Sequence, residues 1–151
     1  TYGMGEYVIS LNKKALHDYE FDKHYQAGLV LHGGEIKAIR AGKVNLRGSF
    51  ARIQYPKGSG DAELVVTNFH IGAGEDPTRT RKLLLHRKEI NQLMGKLQEK
   101  RFTLIPIKLY LARGYAKLEL GLGRGRKQYE KRDRLKRKHK KRALDRDMRG
   151  E

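Results

Sequence analysis

Residues 102–123 read FTLIPIKLYLARGYAKLELGLG, and the alternation in this stretch decides the fold class. Leu118, Leu120 and Leu122 recur at every second position, with Lys117 and Glu119 between them. That is the pattern of a strand with one face in a core and the other toward water. Before the turn at Ala112-Arg113-Gly114, Ile105, Ile107, Leu109 and Leu111 repeat with the same period. Residues 102–111 and 115–123 therefore predict two antiparallel strands whose apolar faces coincide. Pro106 lies inside the first and cannot donate to the ladder, which points to an edge or a bulge.

Upstream, residues 49–55 and 62–71 flank a turn at 57–61 and predict a second hairpin. Residues 7–11 predict a short strand. Residues 17–21 and 27–31 read as one long bent strand with Gly28 at the bend. Two helices are expected. Ile90, Leu93, Met94 and Leu97 fall at i, i+3, i+4 and i+7, an apolar stripe. His86 and Glu89 before it have the spacing of a capping box. Residues 35–41 place Ile36 and Ile39 on one face, with Gly42 where a left-handed C-cap belongs. The sum is a mostly β protein, an OB-fold-like antiparallel β-barrel with flanking α-helices. Propensity alone leaves an SH3-like barrel or a sandwich open. The barrel is assigned to residues 1–123, and a basic tail, disordered when free, to 124–151.

Charge divides along the same line. Residues 1–123 carry 20 Lys or Arg against 12 Asp or Glu, and residues 124–151 carry 14 against 5, for the total of +17. The tail holds too little apolar surface to offset the entropy of ordering its backbone, yet nothing interrupts a helix before Gly150. Its chemistry suits a polyanion that orders it. A membrane surface is the poorer fit, because the tail lacks the broad Trp, Phe and Leu face of an interfacial helix.

Catalytic and metal patterns are missing. The chain has no cysteine, so disulfides and thiolate sites are excluded. None of its six histidines forms an H-E-x-x-H pair. Residues 121–126 (GLGRGR) match a dinucleotide loop only loosely and suit a flexible exit from the last strand. Asp18, Glu20 and Asp22 would share one face of a strand, where a solvated face is several times more common than a Mg²⁺ site. No cofactor or metal is therefore expected, and a Mg²⁺ nuclease using Asp18 and Glu20 is a remote reading. What persists is phosphate chemistry. Arg79, Arg81 and Lys82 lead from a glycine-containing loop toward the longer helix, Lys37 and Arg40 share a side of the shorter one, and Lys13-Lys14 follows the first strand. Together with the tail they favour nucleic acid. A basic ribosomal protein or RNA chaperone would explain the composition equally well.

An ordered series of motifs narrows this. Asn12-Lys13-Lys14-Ala15, His17-Asp18-Tyr19, Ala27-Gly28, Glu35-Ile36-Lys37, Arg40-Ala41-Gly42-Lys43, Asp76-Pro77, residues 81–86 (RKLLLH) and residues 125–132 (GRKQYEKR) resemble the small protein B (SmpB) family of SsrA-binding proteins. The resemblance implies an OB-type barrel that binds the tRNA-like domain of transfer-messenger RNA (tmRNA) in bacterial ribosome rescue. It also implies a tail that becomes helical in the empty messenger channel at the decoding centre. The implied setting is the bacterial cytoplasm, with elongation factor Tu in the delivery complex and the protein itself a monomer. The family's RNA-binding positions map onto Asn12, Gln26 and Leu84. Gln26 stands where the family commonly has Glu. Lys13, Lys37, Arg40, Arg81 and Lys82 would join them on the tRNA-like fold. Arg126, Lys127, Tyr129, Lys131, Arg132, Lys136 and Met148 would meet the ribosome, with Tyr129 stacking on a base.

Overall fold

The computed structural model describes residues 6–56, 60–74 and 76–125. The central hairpin is β8 (Thr103–Ala112) and β9 (Tyr115–Gly125), joined where Arg113 and Gly114 both take positive φ. That geometry is the one a two-residue hairpin turn of right-handed twist requires. β9 pairs on its other side with β2 (Tyr19–Leu29), from Tyr19↔Gly125 to Gly28↔Lys117. β4 (Phe50–Gln54) and β5 (Glu63–Thr67) form the second hairpin. β5 pairs with β7 (Arg81–Leu84), and β7 with β2. One edge of β8 is shared, Leu104 facing β4 and residues 108–112 facing β1 (Glu6–Leu11). Every pairing is antiparallel, and those among β8, β4, β5, β7, β2 and β9 return to their starting strand. β3 (Val44–Asn45) and β6 (His70–Ile71) make a separate two-stranded sheet.

Leu118, Leu120 and Leu122 are buried as their alternation requires, beside Tyr25, Ala27, Leu64, Val66, Leu83, Leu104 and Leu109. The face predicted for β8 is not continuous. The β8–β9 register shifts between Pro106 and Lys108, and this bulge reverses the alternation. Leu104 and Leu109 thus enter the core and Leu111 packs on it, whereas Ile105 and Ile107 are buried outside that cluster. The bend of β2 is a register shift between Phe21 and Lys23, not at Gly28. Residues 121–125 are strand rather than a flexible exit, so β9 extends two residues into the expected tail. A Cβ built on Gly121 or Gly123 would lie 2.4 or 2.7 Å from the Phe21 ring. Both glycines are needed for that ring to lie across the strand.

Three helices are described. α1 (Lys13–Asp18) was not expected, and it takes His17 and Asp18 from the start of the long strand read over residues 17–31. It buries only Ala15, and its periodicity is correspondingly silent. α2 (Gly33–Arg40) begins two residues earlier than expected and ends before Gly42, at φ +76°. α3 (Arg87–Leu97) buries Ile90 and Leu93 of the predicted stripe. His86 makes no side-chain cap there. The strand expected over 62–71 breaks at Asn68, whose φ is +59°. Among the described residues no helix is long and apolar enough to cross a membrane, and no three His, Asp or Glu residues gather as metal ligands. Asp18 ends α1 and β2 begins only at Tyr19, so Asp18 does not share a strand face with Glu20 and Asp22.

Candidate RNA-binding surface

Strand alternation sorts the predicted residues into two groups. Along β7, Arg81 and Leu83 point inward while Lys82 and Leu84 point outward. Along β2, Tyr25 and Ala27 are buried and Gln26 is exposed. Gly28 and Leu84 are direct partners across the two strands, and a Cβ on Gly28 would lie 3.4 Å from that of Leu84. The missing side chain lets Leu84, 52% exposed, lie against the sheet as an apolar platform. Lys117 follows in the same row on β9, and Tyr110 on β8 beyond it. The next row runs Gln26, Glu119, Lys108. Lys82 stands two residues before Leu84 and meets Glu63 at 3.2 Å. Gln26, Lys82 and Leu84 thus share one outer face.

Gln26 is held from both ends. Tyr110 Oη donates to Gln26 Oε1 at 2.6 Å, and Gln26 Nε2 donates to Glu119 Oε1 at 2.8 Å. Burial, together with the charges of Glu6 and Glu119, pushes the Tyr110 phenol above its usual range. It therefore remains a donor at neutral pH. Lys108 Nζ lies over the Tyr110 ring, 5.1 Å from its centroid.

Arg81 is elsewhere. It was expected to meet phosphate, yet it is 0% exposed. Its Nε donates to Glu35 Oε2 at 2.6 Å, and its terminal nitrogens donate to the carbonyls of Phe69, Pro77 and Arg79. Arg79 closes on the other oxygen of Glu35, which also accepts from the His32 backbone N–H at 2.8 Å. Burial would raise the Glu35 carboxyl, but bonds from Arg79, His32 and Arg81 and the charge of Arg81 outweigh it and hold it at about 2. A buried guanidinium needs such a partner set, because an uncompensated charge there costs several kcal/mol. Arg81 is thus an internal brace, not a surface contact.

Asn12 is also inside, 4% exposed. Its Oδ1 accepts from Ala15 N at 3.2 Å, capping α1. Its Nδ2 donates to the carbonyls of Leu46 and Pro106. The side chain locks α1 to the bulge of β8 and leaves Lys13 and Lys14 exposed on the helix. Lys37 and Arg40 are exposed on α2, which packs against β6. Arg126, Lys127, Tyr129, Lys131, Arg132, Lys136 and Met148 lie outside the described residues. Glu119 and Tyr110 were not singled out as site residues. Glu119 was legible only as an outward position, and nothing local marks Tyr110 as the partner of Gln26.

Comparison with known proteins fits this surface into a wider pattern. The family model described as "SmpB protein" matches residues 9–150. The SsrA-binding protein of Bacillus cytotoxicus is 53% identical over 149 residues, covering 94% of this chain and 92% of the relative. That of Bacillus subtilis is 51% identical with the same coverage. Among solved structures, a chain from "tmRNA-SmpB: a journey to the center of the bacterial ribosome" is 47% identical, with TM-score 0.62 over 77% of this chain and 82% of that one.

Proposed function

The chain belongs to the SmpB family, and we propose from the surfaces above how it divides its work. It binds tmRNA and serves trans-translation on the ribosome. The observation that carries this is a family match that runs through both the body and the tail, residues 9–150.

The finer assignment is as follows. The cycle of pairings among β8, β4, β5, β7, β2 and β9 is an OB-type barrel. Its outer face, with Leu84, Gln26 and Lys82, meets the tRNA-like domain of tmRNA. Lys13, Lys37 and Arg40 add phosphate contacts from α1 and α2. Asn12 and Arg81 act through the backbone they hold rather than by touching RNA. The tail, with Arg126, Lys127, Tyr129, Lys131, Arg132, Lys136 and Met148, enters the decoding centre and the empty messenger channel and becomes helical there. The protein is an adaptor without a reaction of its own, a monomer in the bacterial cytoplasm, delivered with tmRNA by elongation factor Tu.

Two measurements test the reading. RNA co-purified with the full chain should be enriched in tmRNA, and the purified protein should prefer it to duplex RNA of equal length. Removing residues 131–151 should leave tmRNA binding within about threefold while abolishing tagging of stalled chains. Normal tagging by the truncated protein would remove the tail from the mechanism.

A further inference from the structure

The row Gln26–Glu119–Lys108 contains a carboxylate on a face read above as meeting phosphate. An acidic side chain there is repelled by RNA unless it makes a bond in the complex. The ordinary remedy, an ion pair with an adjacent lysine, is not taken. Lys108 is the direct cross-strand partner of Glu119 but extends over the Tyr110 ring instead. Among the described residues, no Lys or Arg pairs with Glu119, and its nearest ion-pair candidate is the His24 ring, whose Nδ1 is 4.0 Å from Oε2. The Glu119 side chain remains 22% exposed.

The hydrogen bonds fix what is left over. Tyr110 engages Gln26 Oε1, and Gln26 engages Glu119 Oε1. One amide N–H of Gln26 and the second carboxylate oxygen of Glu119 are then without a bond in this chain of contacts. The Tyr110 hydroxyl, donating to Gln26 Oε1, holds the amide in the orientation that presents Nε2 to Glu119. A carboxylate oxygen in that setting suits an N–H or O–H donor and rejects a phosphate. We propose that Glu119, oriented by the Tyr110–Gln26 pair, accepts a hydrogen bond from RNA, from a base amino or imino group or a ribose 2′-hydroxyl. Glu119 is the specificity residue of the face, and Gln26 and Tyr110 position it. The proposal rests on the reading that this face binds tmRNA.

The sign of one substitution decides it. Glu119→Gln removes a negative charge from a basic face, so electrostatics alone would tighten binding. If Glu119 accepts from RNA, the same change should weaken binding of full-length protein to tmRNA about tenfold, as expected for one bond to a charged group. The salt dependence should stay the same, and affinity for duplex RNA should be equal or higher. Binding as tight as the parent's, or tighter, overturns the proposal. Folding is controlled by thermal melting of the variant. A second reading uses tmRNA carrying guanine-to-inosine or 2′-deoxy replacements in its tRNA-like domain. At the contacted position the replacement should cost the parent affinity but not the Glu119→Gln protein, and which chemistry does so identifies the donor. Equal losses in both proteins at every position also overturn it. If the parent shows no preference for tmRNA over duplex, the functional reading itself has failed, which is a separate result.

Discussion

Two charged clusters lie on opposite sides of β7 and use the same residue types for opposite ends. Inside, the buried Glu35 carboxylate is shared by the buried Arg81 and the partly exposed Arg79. Outside, Lys82, Lys117, Glu119 and Gln26 keep part of their bonding capacity toward solvent. Arg81 and Lys82 are neighbours in the chain, and a strand sends neighbours to opposite faces. A run of basic residues is therefore not one patch. Its members brace the fold or face the ligand according to parity and to what lies across the sheet.

The largest effect should come from the inner cluster. Arg81→Met leaves Glu35 with one guanidinium and strips the Phe69 and Pro77 carbonyls of their donor. Denaturant melts should show a loss of about 3–5 kcal/mol, as when one partner of a buried pair is removed. tmRNA affinity per folded molecule should change by less than about twofold. A variant of normal stability that binds RNA poorly would put Arg81 back on the surface and break the comparison.

Acid probes the same cluster. The Glu35 carboxyl is held at about 2 in the folded protein against an ordinary 4.5. Its contribution is thus complete above pH 4.5 and is lost as pH falls toward 2. Roughly 2–3 kcal/mol of stability should disappear across that window. Unfolding free energies measured against pH should show this slope, and Glu35→Gln, already destabilised, should lack it.

The outer face should respond the other way round. Leu84→Asp places a charge on the platform over Gly28. It should lower tmRNA affinity at least about tenfold while stability shifts by no more than about 0.5–1 kcal/mol, since the site is exposed. Titration of labelled tmRNA against the variant checks the first, and a melt the second. The smallest effect is expected at Lys82, already paired with Glu63. Lys82→Ala should weaken binding about two- to threefold and reduce the salt slope by about one. An unchanged slope would mean that Lys82 makes no phosphate contact.

Legibility followed periodicity. The β9 leucines, the hairpin of β4 and β5 and the stripe of α3 were readable because each repeats its signal over several residues. α1 was not, since six residues with one buried alanine carry no period, and its stability comes from the Asn12 cap and from Asn12 N bonding Ile107 O on β8. β7, four residues long, was equally silent. Pro106 pointed to an edge or a bulge but did not choose between them, nor give the consequence, the exchange of Ile105 and Ile107 for Leu104 in the core. At the site, the basic character of the surface was plain, whereas the Tyr110–Gln26–Glu119 chain joins residues 84 and 93 positions apart.

The sequence by itself determined the antiparallel β class, the family through its motif order, and the concentration of positive charge toward one end of the chain. Each is a local or additive property. Only the tertiary structure decided which charges are interior. That choice depends on a partner 46 residues away, Glu35, reaching Arg81 once β7 is placed between β5 and β2. A guanidinium can be buried only where such a partner waits, and no local pattern reports its distance.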